Sequence, residues 1–160
     1  MFSVCKVSFK NALKLLDVTD ILHKSGKDMA LKQDLHHWDN SRLKTLVIVL
    51  LCAMKNDIYL VYDGEIAVAT FQTKKIGNSL LFQKLAVDPG FANKGIGSFC
   101  LGEIEKLAKL AECGSTICEV YDKSEHAISF YTAKGYTVCG TTNTLKYKQL
   151  ELRKELEVAQ

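Results

Sequence analysis

The chain has 160 residues, 48% hydrophobic and 24% charged, and its 21 lysines and arginines against 18 acids leave a formal charge of only +3. That length predicts one domain with a real core, and the balanced charge argues against both a disordered chain and a dedicated nucleic-acid surface. Six cysteines at 5, 52, 100, 113, 118 and 139 form no C-x-x-C pair and have no histidines at zinc-finger spacing, so they read as reduced core thiols of a cytoplasmic protein without a metal site.

The opening MFSVCKVSFKNALK has neither the apolar core nor the small-residue cleavage site of a secretion signal. VCKVSF alternates as a short strand, and Ala12, Leu15, Leu16, Thr19 and Leu22 then recur at helical spacing, with Gly26 expected to end that helix. A second helical region is expected over residues 28–55, interrupted at LHHWDNS, where Asp39, Asn40 or Ser41 can cap the apolar stretch after it. That apolar run, TLVIVLLCAM, is half the length of a membrane span and reads as a buried helix.

DIYLVYDGEIAVATFQTK sets two β-rich runs around Asp63 and Gly64, a pair suited to a turn with positive φ, and so predicts an antiparallel hairpin. NSLLFQKLAVD is the next strand, followed by a glycine-rich loop and a helix over residues 95–112 whose Ile96, Cys100, Ile104, Leu107 and Ala111 share one face. STICEVYD is a strand, SEHAISFYTAKG a helix that Ser124 can cap, and YTVCG with NTLKYKQLEL a closing pair of strands. The domain is expected over residues 1–150, with residues 151–160 a charged tail that frays. This order predicts a mixed α/β fold of the α+β kind with a largely antiparallel sheet.

The stretch LAVDPGFANKGIGSFC concentrates three glycines and the only proline between a strand and a helix. Such a turn leaves backbone amides unpaired at the positive end of the helix, so the amides of residues 94–98 can cradle a pyrophosphate, with Ser98 adding a hydroxyl and Lys94 a charge. The glycines alone fit equally well a tight connection in which they serve packing. A P-loop is excluded because Ile96 follows Gly95 where lysine is needed, and a dinucleotide fingerprint because Cys100 stands where its third glycine belongs.

The segment closely resembles the acyl-CoA loop of the GNAT superfamily of N-acetyltransferases, [QR]-x-x-G-x-[GA] after a strand ending in LAV. Gly95 and Gly97 fill the glycine positions, while Ala92 replaces the usual Gln or Arg. CEVYDKSEHAISFYTAKGYTVCG resembles the family's second motif, with Glu119 and Val120 on the strand, Ala127, Phe130, Tyr131, Gly135 and Tyr136 in register, and Ser124 where Asn is frequent. LHHWDN is a looser likeness to the region before the second helix, and the whole resemblance runs from Val4 to about Leu150.

The resemblance implies a GNAT-like fold, a mostly antiparallel sheet splayed at the acyl-CoA site with helices on both faces. It implies direct transfer of an acetyl group from acetyl-CoA to a primary amine of a small molecule or peptide, with no metal. Leu85, Ala86 and Val87 would pair through their backbone with the pantetheine arm. Ala92, Asn93, Lys94, Gly95, Ile96, Gly97 and Ser98 would form the phosphate loop, Ser124 would add a cofactor contact, and Tyr131 would protonate the leaving thiolate. Phe130 and Tyr136 read as core. His37, Trp38 and Glu119 are expected on the acceptor side, though Trp38 fits equally well as a residue capping the core. No base is assigned: Gln83 and Lys84 stand where relatives often carry a carboxylate, while Glu119, Asp122 and His126 could relay through water. His36 and His37 lack a third ligand at usable spacing.

Ala92 and the absent strand carboxylate also fit a rival function, a catalytically silent acyl-CoA-binding domain acting as a sensor or interaction module. The expected partner is the amine acceptor, with no nucleic acid and no membrane, and homodimerisation is left open.

Overall fold

The computed structural model describes residues 1–157 of the chain. In order it contains β1 (Phe2–Val7), α1 (Ala12–Gln33), α2 (Arg42–Ala53), β2 (Asp57–Asp63), β3 (Ile66–Ile76), β4 (Ser79–Val87), a 3-10 turn (Pro89–Phe91), α3 (Ile96–Leu110), β5 (Ser115–Tyr121), α4 (Glu125–Ala133), β6 (Thr137–Asn143) and β7 (Lys148–Glu155). The seven strands form a sheet in the order β1-β2-β3-β4-β5-β7-β6. β1–β2, β2–β3, β5–β7 and β7–β6 pair antiparallel, and β4–β5 is parallel. The chain groups into two compact units, one of Met1–Lys74 with Lys84–Glu103, the other of Lys75–Gln83 with everything from Ile104 onward.

In the first unit Leu15, Val18, Ile21 and Leu22 recur along one stripe of α1. They meet Val7, Val49, Ile58, Leu60 and Ala86 in a buried core. Asn11 caps α1 by accepting the Lys14 amide at 3.1 Å. The helix does not end at Gly26, as its sequence suggested, but runs on to Gln33, where Asp34 turns left-handed at φ 54°. Gly26 is buried, and a Cβ there would run into the backbone carbonyl of Trp38. Its missing side chain therefore serves the close approach of the following loop rather than a helix stop.

Ser41, one of the three proposed caps, accepts the Lys44 amide at 3.2 Å and starts α2. The expectation of a buried helix there is corrected: only Thr45 and Val49 are buried, while Leu43, Val47, Leu50, Leu51 and Met54 are exposed. A helix laid on a core buries one narrow stripe, and its remaining apolar residues stay outside whatever their number. The hairpin forms as expected, but its turn lies one residue later than the expected pair: Asp63 still pairs with Ile66, and Gly64 and Glu65 make the turn, with Gly64 at φ 62°.

In the second unit the start of β4 pairs with β5 through Ser79–Ser115, Leu80–Thr116 and Leu81–Ile117. Phe82, Cys118, Tyr136 and Leu152 are buried. The expected frayed tail is also corrected. Residues 151–155 belong to β7, which lies between β5 and β6, and the Leu156 amide donates to the Gly114 carbonyl at 2.8 Å. Two neighbouring strands hold this segment despite its charge, because alternate residues such as Leu152 turn inward. Residues 158–160 of the expected tail lie outside the described residues. All six cysteines are free thiols, but only Cys100, Cys113 and Cys118 are buried; Cys5 and Cys52 are half-buried and Cys139 is exposed, which corrects their reading as core residues.

Candidate active site

The site elements of the first unit begin in the middle of β4, where Lys84 adopts φ 49°. A left-handed lysine inside a strand departs from the extended geometry that the rest of the strand requires, and such departures concentrate at functional sites. Beyond it lie Leu85 and Val87, both half-buried, with Ala86 between them in the core. The Asp88 amide donates to the Val68 carbonyl at 2.8 Å and keeps this end of β4 against β3.

Asp88 then fixes the turn. Its Oδ1 accepts the Gly90 amide at 2.9 Å, and its Oδ2 accepts Lys24 Nζ of α1, also at 2.9 Å. Burial works to raise the pKa of this carboxyl, but the Lys24 hydrogen bond and the Gly90 amide outweigh it and hold the pKa below the ordinary value. The next loop is exposed from Ala92 to Gly95, with Asn93 at φ 61° and Gly95 at φ 76°. At Gly95 open space would surround a Cβ, so the glycine answers to backbone conformation and not to crowding. The Lys94 ammonium lies 4.9 Å from the centre of the Phe91 ring.

The backbone bond that Phe99 donates to Gly95, at 3.0 Å, closes the first turn of α3. The amides of Ile96, Gly97 and Ser98 precede it, at the positive end of a 15-residue helix. Ile96, Cys100 and Ile104 are buried and anchor that helix, while Gly97 and Ser98 stay half-exposed. Such a helix start, entered through a left-handed glycine, can take a phosphate.

A cavity of about 50 Å³ adjoins Lys84, lined by Leu22, Trp38, Asn40, Thr45, Ile48 and Lys84. Of the residues expected on the acceptor side, Trp38 lines it. His37 is half-buried with its ring centre 5.8 Å from that of Trp38, and desolvation lowers its pKa, which keeps the imidazole neutral. His36 is exposed between Asp34 at 2.8 Å and Asp39 at 3.5 Å, and these carboxylates raise its pKa. Adjacent in sequence, the two histidines thus have opposite environments. Among the described residues no three His, Cys, Asp or Glu side chains gather as a metal site.

Tyr131, Ser124 and Glu119 belong to the second unit. Tyr131 is buried on α4, with ring centres of Phe130, Tyr136 and Phe82 at 5.2, 5.7 and 5.8 Å. Tyr136, read as core, shares a 2.8 Å hydrogen bond between its hydroxyl and that of Thr116, and burial raises its pKa strongly. Ser124 stands at the start of α4 but makes no side-chain cap bond there, which corrects the expected capping. Glu119 is half-buried on β5 opposite Glu151 of β7, and His126 is exposed.

A family model described as an acetyltransferase (GNAT) domain matches residues 54–138, more than half of the chain. The chain belongs to the GNAT family of acetyltransferases. Solved structures share its fold. PaiA N-acetyltransferase from Thermoplasma acidophilum, in complex with coenzyme A, aligns at 18% identity and TM-score 0.75, over 98% of this chain and 99% of that one. The ribosomal-protein-S18-alanine N-acetyltransferase of Escherichia coli aligns at 14% and 0.74, over 100% and 97%. Aminoglycoside 6'-acetyltransferase type Ii aligns at 13% and 0.74, over 99% of each chain. No curated protein matches this GNAT chain by sequence.

What the sequence does not reveal in this GNAT site is the cavity. Along the chain Lys84 registers only as the absence of a carboxylate, Leu22 as a helix-stripe residue and Asn40 as one of three possible caps. Thr45 and Ile48 are part of the apolar run. Nothing in the pattern signals that this lysine in a strand turns left-handed.

Proposed function

We propose that this GNAT enzyme transfers the acetyl group of acetyl-CoA to a primary amine of a small molecule or peptide. The observation that carries the reading is the spacing within one unit: residues 85–87 lie between the cavity at Lys84 and the amides at the start of α3. Three extended residues span about 10 Å. A pantetheine arm added along them as an extra strand would have its phosphates toward residues 94–98 and its acyl end toward the cavity.

Acetyl-CoA supplies the activated acyl group. The acceptor nitrogen forms the new bond to the acyl carbon as the carbon–sulfur bond breaks, and the proton lost by the amine is balanced by one gained at sulfur. Backbone amides on residues 85–87 would orient and polarise the acyl carbonyl. Gly95 and the amides of Ile96, Gly97 and Ser98 would hold the pyrophosphate, which the exposed Ala92 leaves without the side-chain contact common in the family. Tyr131 is the proposed proton donor on the strength of its place in the second motif. No carboxylate lines the cavity, so the acceptor amine would give its proton to water.

Incubation with acetyl-CoA and a panel of amines, followed as free thiol release and acceptor acetylation, tests this reading. Thiol release that requires an amine is expected. CoA binding without thiol release for any amine would move the assignment to a silent acyl-CoA-binding module.

A further inference from the structure

We infer that the acceptor is an amino-carboxylic acid, its carboxylate held by Lys84 and its short apolar part set against Trp38. The inference deepens the acetyltransferase reading and rests on it for the acyl donor. Of the six residues lining the cavity, Lys84 alone is ionisable at neutral pH. Among the described residues it forms no ion pair, whereas Lys24, Lys27, Lys32 and Lys154 each have a carboxylate partner. Its backbone is left-handed at φ 49°, a conformation that costs free energy for a non-glycine residue and persists only where the surroundings enforce it. The result is a lysine without a carboxylate partner on the wall of a cavity.

The other walls complete the recognition. Leu22, Trp38 and Ile48 give the cavity apolar walls. The Thr45 hydroxyl donates to the Ser41 carbonyl at 3.0 Å, so toward the cavity it can only accept, which suits an N–H of the acceptor. The Asn40 side chain offers both a donor and an acceptor. A polycationic acceptor would need carboxylates, and the cavity has none. A purely apolar amine would desolvate Lys84 without supplying a counter-charge, a costly arrangement. A ligand carrying both a carboxylate and an amine satisfies Lys84 and Thr45 together.

The test compares L-amino acids, each against its own carboxamide and its decarboxylated amine. Binding is read by the fluorescence of Trp38, the only tryptophan in the chain, and turnover by thiol release from acetyl-CoA. Two variants remove the charge while accepting a positive φ, Lys84→Asn and Lys84→Gly. At least one free amino acid is expected to bind about 10- to 100-fold more tightly than its two uncharged-end analogues, the range for a hydrogen bond to a charged group. Both variants should abolish that advantage, chiefly through KM. Equal or tighter binding of the amides and amines, no response to any carboxylate, or an advantage that survives both variants would overturn the inference. Carboxylate-dependent binding without thiol release would leave Lys84 as the carboxylate site of an amino-acid ligand and overturn acetyl transfer. Thiol release confined to amines lacking a carboxylate would do the reverse.

Discussion

At Gly26 helix propensity and packing pull in opposite directions. Alanine in a helix interior ordinarily gains about 0.5–1 kcal/mol over glycine. Here its Cβ would meet the backbone of Trp38, which cannot rotate away as a side chain could. Gly26→Ala is therefore expected to lose about 1–3 kcal/mol, the usual cost of overpacking, and urea unfolding of the two proteins would show the sign directly. Tyr131 poses the complementary question, since its ring already packs among Phe82, Phe130 and Tyr136. Tyr131→Phe preserves the ring and removes only the hydroxyl. If Tyr131 is the acid, turnover falls about 10²–10⁴-fold while CoA affinity stays within a few-fold. The loss should shrink with acyl donors whose leaving thiol is more acidic, and steady-state rates with two such donors give that comparison. An equal loss with both would return Tyr131 to a packing role.

Between β4 and α3 the decisive part is a carboxylate that ties the turn to a distant helix. Asp88 has a depressed folded-state pKa, so its contribution to stability is complete above the ordinary aspartate range and is lost as pH falls through the lower folded value. Asp88→Asn should cost about 1–2 kcal/mol at neutral pH, a modest sum because Lys24 is largely exposed. The gap between wild type and variant should close below about pH 4. Denaturation curves at several pH values would reveal it, and a gap constant down to strongly acid conditions would count against the assignment. The elements themselves divide by how locally they are specified. The hairpin after Asp63 was legible to within one residue because Gly64, which must take a positive φ, opens its turn. The end of α1 was misread because Gly26 has two physical meanings, a stop or a close approach, and only the path of residues 35–41 distinguishes them. The burial of α2 was overestimated for a related reason, since an apolar run says nothing about how many of its faces find a partner.

For the whole molecule the expected signature is selective stabilisation by a pantetheine-bearing ligand. CoA or acetyl-CoA at a hundred times its dissociation constant should add about 2.7 kcal/mol, with NAD and ATP adding far less. Thermal melts with each ligand decide this. Gly97→Asp, which sets a negative side chain at the start of α3, should abolish the CoA shift while leaving the circular dichroism spectrum nearly unchanged. Retained affinity in a folded variant would exclude the loop as the phosphate site.

The sequence by itself determined the family, the order of elements and the glycine-rich turn between β4 and α3, because each is written in contiguous residues whose turn chemistry and periodicity act over a few positions. Only the tertiary structure decided that Gly26 lies under Trp38, that Asp88 reaches Lys24, and that Lys84 turns left-handed beside a cavity with no carboxylate in its walls. Those features join residues from 12 to 64 positions apart. Their energies come from close approach and from charges left paired or unpaired, which depend on where the chain returns and not on what lies next along it.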